Sequence, residues 1–260
     1  MRNLLPTFVL LLISLSGTNV SASDTTNLSS SSTALKVCWE SELKPPYLMQ
    51  QDNKLLTGIA VEWLENILNS QNVPFENVVM PWKRCLLSLQ RGHVDIVPNS
   101  SYKKSRTLFA NYSNELYRTH LDFFYLKNTH PKAQQLTKIE QFKSYNIGGV
   151  RGFNYSFYED RLTIDTGASD RETLVRKLKK KRVDFAILQR EVLASLYQHK
   201  QHELAEIASL PAPDNSFKAF YILTSLEHKQ PNTLLSVINK GLKHLQTSGQ
   251  YQETLNKYLK

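Results

Sequence analysis

The chain has 260 residues, 41% of them hydrophobic and 21% charged, and its 32 Lys and Arg against 23 Asp and Glu give a formal net charge of +9. The excess invites a nucleic-acid surface, but the basic residues are dispersed apart from a run over residues 176–182, and no zinc-finger spacing or aromatic RNA-binding signature accompanies them. A solvated basic surface is the reading, with no nucleic-acid partner. No HExxH or nucleophile-elbow pattern is present and the seven histidines show no ligand spacing, so neither metal, cofactor nor catalytic residue is assigned.

Arg2, an apolar run over residues 4–15 and the small-residue end Val20-Ser21-Ala22 read as a signal peptide over residues 1–22, cleaved after Ala22. The run is too short to span a bilayer. Residues 23–33 form a Ser/Thr-rich tether, and no Cys stands at the cleavage point to carry a lipid anchor. The remaining chain, roughly 225 residues, suffices for two modest cores rather than one large one. Leu35, Val37 and Trp39 alternate with Lys36 and Cys38, which predicts a strand; Ala60, Leu64, Ile67 and Leu68 recur at helical spacing. Trp82, Leu86 and Leu89 mark a second helix, and residues 121–126 and 147–150 read as strands. Ser169 and Glu172 form a capping box for a helix reaching Lys181. Phe217, Ala219, Tyr221 and Leu223 alternate as another strand, and Pro231 opens a final helical segment with Leu235, Ile238, Leu242 and Leu245 on one face.

The segment PWKRCLLSLQRGHVDIVPNSSYKKSRTLFANYS, residues 81–113, has a grammar that returns about ninety residues later in LVRKLKKKRVDFAILQR. Leu89, Val94 and Asp95 align with Leu178, Val183 and Asp184. Each copy reads as an amphipathic helix, a short Asp-containing turn and a buried strand, so the chain is α/β with two similar lobes. Ligands of open α/β sheets sit beyond the carboxyl ends of the strands, which places residues 99–101 and Gln189 at a common cleft.

The opening strand LKVCWE with KPPY, then LTGIAVEW, GHVDIVPNSSYKKSR with FANYS, NIGGVRGFN, RVDFAIL and the closing VINKGLKHLQTSGQYQETLNKYL resemble, in order and spacing, the periplasmic solute-binding proteins of the polar amino-acid type, family 3. The resemblance runs from Leu35 to Leu259. It implies a two-lobed periplasmic-binding-protein fold of type II, each lobe a central mixed sheet flanked by helices. The first lobe takes residues 34–116 and 217–260, the second residues 117–216, and hinge closure traps ligand between them. It further implies a monomeric periplasmic protein that delivers its ligand to a membrane permease. Alternatives are a sensory module for a membrane receptor and, less favoured, an enzyme like the cyclohexadienyl dehydratases.

The same resemblance sets the candidate site. Arg106 matches the family's carboxylate-binding arginine, and its guanidinium suits a carboxylate bidentately, with Asn99 and Ser101 as further donors. Gly152, Phe153 and Asn154 form a turn ahead of an expected helix, whose amides complete the anion site. Trp39, Tyr47, Trp82, Tyr102 and Phe153 are candidate walls, and Glu40 ends the opening strand, where it either accepts a bond from ligand or serves a purely structural capping role. Lys44 stands where many relatives have an aromatic before two prolines. Gln189 stands where amino-acid binders place an acid for the ligand ammonium; Glu191 or Glu40 would have to substitute, or the ligand is not an ordinary α-amino acid. Cys38 and Cys85, the only cysteines, are expected to form a disulfide within the first lobe of a periplasmic protein, the alternative being two buried thiols.

Overall fold

The computed structural model describes residues 34–51 and 56–259; the signal peptide and tether expected over residues 1–33 lie outside them. Strand β1 (Leu35–Glu40) is followed by a small ribbon, β2 (Met49–Gln50) and β3 (Leu56–Thr57), then helix α1 (Ile59–Asn69), β4 (Phe75–Met80), α2 (Trp82–Gln90) and β5 (Ile96–Ser101). A 3₁₀ turn at Lys104–Leu108 leads to β6 (Ala110–Tyr112) and the long β7 (Tyr117–Leu126). The second half runs β8 (Ile147–Val150), β9 (Ile164–Ala168), α3 (Arg171–Lys179), β10 (Phe185–Gln189), α4 (Arg190–Leu196) and β11 (Ile207–Pro211). Strand β12 (Phe217–Ser225) and helices α5 (Pro231–Thr247) and α6 (Gln250–Tyr258) close the chain.

The strands order as β4-β1-β5-β12-β7-β10-β8-β9, with β6 added to β12 and β11 to β7. Parallel pairs β1/β4, β1/β5, β8/β10 and β8/β9 lie toward the two ends; β12 and β7 run antiparallel to their neighbours in the middle. Strand β7 joins the halves, because Tyr117 to His120 pair with β12 while Leu121 to Phe124 pair with β10. Each half buries its own apolar interior. One packs Trp63, Leu64 and Ile67 of α1 against Leu234, Ile238 and Leu242 of α5; the other centres on Phe123, Phe142 and Phe185.

The repeat has a structural cause. Asp95 accepts a hydrogen bond from the Lys36 backbone N–H at 2.8 Å, and Asp184 accepts one from Asn146 N–H at 2.8 Å. Each aspartate also donates its own N–H to the carbonyl of that same residue, so one acidic side chain clips the neighbouring parallel strand at its start. Both preceding helices end through a left-handed residue at the matching position, Gly92 at φ 67° and Lys181 at φ 55°.

Two local expectations shift by one residue, and a third differs in burial. The N-cap of α3 is Asp170, whose carboxylate accepts from Thr173 N–H at 2.6 Å, while Ser169 donates to Asp170; an ionised carboxylate is the stronger acceptor for the helix start. On α5 the core face is Leu234, Val237, Ile238, Leu242 and Leu245, with Leu235 only half-buried. Cys38 is buried like its neighbours Val37 and Trp39, because β1 lies between parallel partners and is covered on both faces. It forms the disulfide with Cys85, Cα atoms 5.6 Å apart, in a satellite core with Leu89, Val94, Val97 and Leu223.

The bridge closes a loop of sequence separation 47. Chain entropy alone puts the loss on replacing both cysteines with alanine at up to about 4 kcal/mol, readable as a lower urea midpoint with a steeper slope, because the unfolded chain without the bridge exposes more surface. Labelling of two thiols in the denatured, unreduced protein would rule the bridge out.

Candidate functional site

The two halves meet at a cleft, and most of the residues expected there line it, but Trp39, Tyr47 and Tyr102 do not. Glu40, Trp82, Asn99, Ser101 and Arg106 come from β1, α2, β5 and the 3₁₀ turn; Gly152, Phe153, Asn154 and Gln189 come from the facing half. Lys44, Arg171, Lys218 and Phe220 complete the lining. Tyr47 stands behind the wall instead, stacked on Tyr117 at 4.2 Å, which in turn stacks on Phe220 at 5.0 Å. Trp39 is core, its indole donating to Asn77 Oδ1 at 2.8 Å, and the Tyr102 ring is mostly exposed.

Asn99 adopts φ 57°, a left-handed conformation that Asn tolerates better than most residues, and the β5/β12 register shifts beside it. That irregularity interrupts the ladder, which resumes with Tyr221 opposite Ser100 and Phe220 opposite Ser101. Three residues on, the 3₁₀ turn brings Arg106 back over the strand, 7% exposed, with Nη1 donating to Ser100 Oγ at 3.0 Å and to the Ser101 carbonyl at 2.7 Å. Its guanidinium stands 5.2 Å from the Trp82 ring, within cation–π range. No carboxylate pairs with Arg106 among the described residues.

The glycine turn differs from the expected helix start. Gly152 takes φ 81° and Phe153 N–H closes a turn onto the Val150 carbonyl, so irregular turns follow instead of a helix and no row of free amides forms. The cause lies next door: a Cβ on Gly149 would come within 2.8 Å of Tyr155, and the Tyr155 hydroxyl accepts Val150 N–H at 2.7 Å. The Tyr155 ring thus folds back against β8 and is held there by the strand's own backbone. The side chain of Asn154 takes over instead, donating across the cleft to Ser101 Oγ at 3.2 Å and to the Tyr102 carbonyl at 2.8 Å. A second bridge joins Arg171 of α3 to Glu42 at 2.8 Å, so the two walls are in contact.

Lys44 is 3% exposed. Its ammonium lies 3.0 Å from the Phe220 ring centroid and donates at 3.0 Å to Tyr117 Oη, which donates at 2.8 Å to Asn99 Oδ1. The chain of bonds fixes the Asn99 amide so that Nδ2 is a donor, and this atom has no partner. Arg171 Nε and Gln189 Oε1 are likewise buried without partners. Burial, then Arg171, hold the Lys44 ammonium well below the usual lysine range, with Glu40 opposing. Burial and Arg106 lower Lys218, which donates to the Asn154 carbonyl, to about 8. Burial, then Glu42, raise Glu40 from 4.5 to about 7 against the pull of Arg171 and Lys44. Glu191 faces away: its carboxylate accepts from His120 N–H and pairs with Nδ1 at 2.5 Å.

Arg171, Lys218 and Phe220 carried weak sequence signals that went unread. An arginine at the first position of a helix opposes the helix dipole, which favours an acid there. Lys218 and Phe220 occupy the alternate face of the strand whose other face, Phe217, Ala219, Tyr221 and Leu223, set its period.

The sequence profile of bacterial extracellular solute-binding proteins, family 3, matches residues 35–260. Among solved structures, the arginine-, lysine-, histidine-binding protein ArtJ from the thermophilic bacterium Geobacillus stearothermophilus is similar at a TM-score of 0.69 and 14% identity, over 87% of this chain and 95% of that one. A histidine kinase sensor domain with similarity to periplasmic binding proteins has a TM-score of 0.69 at 17% identity, covering 87% and 96%. The substrate binding protein of an ABC uptake transporter from Streptococcus pneumoniae, with bound histidine, gives 0.69 at 15%, covering 86% and 92%. At these identities the likeness is one of fold. A search of curated protein sequences finds no match.

The raised Glu40 has a pH consequence. Between pH 4.5 and about 7 the folded protein keeps a proton that the unfolded chain has lost, so stability falls as pH rises through that window. The loss, on the order of 3 kcal/mol, is complete above the folded-state value. Glu40→Gln should therefore melt higher than wild type at pH 8, with the gap closing toward pH 4. A pH-independent difference in melting temperature would remove Glu40 from this role.

Proposed function

We propose that this chain, which belongs to the bacterial extracellular solute-binding proteins of family 3, captures a small carboxylate-bearing solute, an amino acid or related organic acid, and delivers it to a membrane transporter. The observation that carries the reading is Arg106: a nearly buried guanidinium on the cleft wall, oriented by Ser100 and Ser101, with no acidic partner among the described residues. A buried arginine without a counter-ion is costly, and a planar carboxylate is the group its fork matches. Ser101 and Asn99 lie beside it with hydroxyl and amide donors. Binding rather than catalysis is the role assigned, in a secreted periplasmic protein that acts as a monomer.

Hinge closure is the mode of capture. One lobe takes residues 34–116 and 217–260, the other residues 117–216, and the crossings are the paired ends of β7 and β12. The bonds from Asn154 to Ser101 and Tyr102, and from Arg171 to Glu42, belong to the closed form. Small-angle scattering should show a larger radius of gyration without ligand than with it. An unchanged profile at saturation would indicate a rigid scaffold.

Arg106→Ala should fold and lose binding. Removing one partner of a desolvated charge pair costs on the order of 2 to 5 kcal/mol, which turns a micromolar ligand into a weak one. Arg106→Lys should recover only part of the affinity, since the ammonium lacks the fork. Calorimetry with the carboxylate that most raises the melting temperature decides it; near wild-type affinity in a folded Arg106→Ala protein would take Arg106 out of the site.

A further inference from the structure

The cleft holds more positive charge than one carboxylate answers. Lys44, Arg106, Arg171 and Lys218 line it, and against them stand Glu40 on the wall and Glu42, which is bound to Arg171. Glu191 and Glu159 act on Lys44 and Lys218 from outside the lining, so on the lining itself four basic side chains face the single carboxylate of Glu40. They also fall at two poles. The Arg106 pole includes Lys218, because Asn154 donates to Ser101 beside Arg106 and its carbonyl accepts from Lys218, while Arg171 is bound to Glu42 and to the Leu43 carbonyl, next to Lys44, at the other.

The second pole is built to meet an anion. Arg171, 4% exposed, spends Nη1 on Glu42 and the Leu43 carbonyl and leaves Nε unpartnered. Lys44 spends one donor on Tyr117, rests on the Phe220 ring and has two more to give. Between the poles, Asn99 Nδ2 is a third unpartnered donor, with its direction set by the Tyr117 hydrogen bond. Buried donors left unmet are costly, and buried cations without counter-charge more so. A ligand ammonium would add a further positive charge to this set. Gln189 carries no charge to receive it, and the one carboxylate on the wall, Glu40, already faces Arg171 and Lys44.

Resting on the carboxylate reading above, we propose that the ligand is a small dicarboxylate without an α-ammonium group, one carboxylate on Arg106 and the other on Lys44 and Arg171. Gln189 Oε1, the unpartnered acceptor between them, is placed for a hydroxyl or amide hydrogen on the ligand's connecting chain.

The test is calorimetry on the purified protein at neutral pH with succinate, glutarate and adipate, glutarate monoamide, and glutamate. One of the three dicarboxylates should raise the melting temperature and bind, glutarate should exceed its monoamide by about tenfold or more, and glutamate should bind more weakly than glutarate. In Lys44→Met, an apolar replacement of similar length for a buried residue, the preference for glutarate over its monoamide should collapse toward one. Equal affinity for glutarate and the monoamide in wild type overturns the second anion pole while leaving Arg106 as a carboxylate site. Tighter binding of glutamate than glutarate overturns the exclusion of the ammonium. Silence of all three dicarboxylates at about 10 mM overturns the proposal as well. The carboxylate reading itself fails in a different way, if every acid is silent while a solute with no carboxylate raises the melting temperature.

Discussion

The antiparallel register between the start of β7 and β12 is the constraint on which the cleft depends. Phe217 faces His120 and Phe220 faces Tyr117 across it, so the two passages of the chain between halves are hydrogen-bonded to each other. Side chains alternate along a strand, and this register sends Lys218 and Phe220 of β12 to the cleft. It also sets Tyr117 behind Phe220, and Tyr47 behind Tyr117, as a stack of three rings. A slip of one residue would turn Lys218 and Phe220 away and strand the Lys44 ammonium without its aromatic support.

Around that floor the protein gathers charge that folding alone does not favour. Moving a lysine ammonium out of water costs several kcal/mol unless it is paired, and here Lys44 is met by ring faces and a tyrosine hydroxyl rather than by a carboxylate at bonding distance. Glu40 is raised in the same cleft because burial and Glu42 outweigh the two nearby cations. Functional sites are where such opposed costs persist. Acidic groups of the scaffold are met instead: the Asp95 and Asp184 carboxylates each accept a backbone N–H at a strand start, and Asp122, fully buried, is met by Arg190 and Ser209.

The bridges across the cleft and the residues expected to touch ligand are partly the same. Ser101 accepts from Asn154 and flanks Arg106, and Arg171 both holds Glu42 and faces the pocket. In the hinge closure proposed above, these shared side chains couple closure to capture.

Much of the fold was legible because its causes are local or periodic. The repeat of Val94-Asp95 and Val183-Asp184 follows from one capping device used twice, and the α1 face and the β8 strand follow from their burial periods. The cleft-lining positions Asn99, Ser101 and Gln189 followed from the rule for strand ends, and Arg106 from the family resemblance. What stayed hidden depended on distant packing. Tyr155 filling the space beside Gly149 replaced the expected helix with a turn, and no pattern near Gly152 records a tyrosine's reach. Tyr47 left the cleft because Tyr117, seventy residues on, stacks against it. Lys44 was visible as a departure, but its companions Arg171 and Lys218 were not, since a charged residue on a helix start or a strand reads as solvated until tertiary contacts cover it. Sequence alone determined the strand and helix order and the helix–Asp–strand repeat, because these rest on period and spacing; the charge of the cleft as a whole was decided only where elements far apart in the chain were brought within the same few ångströms.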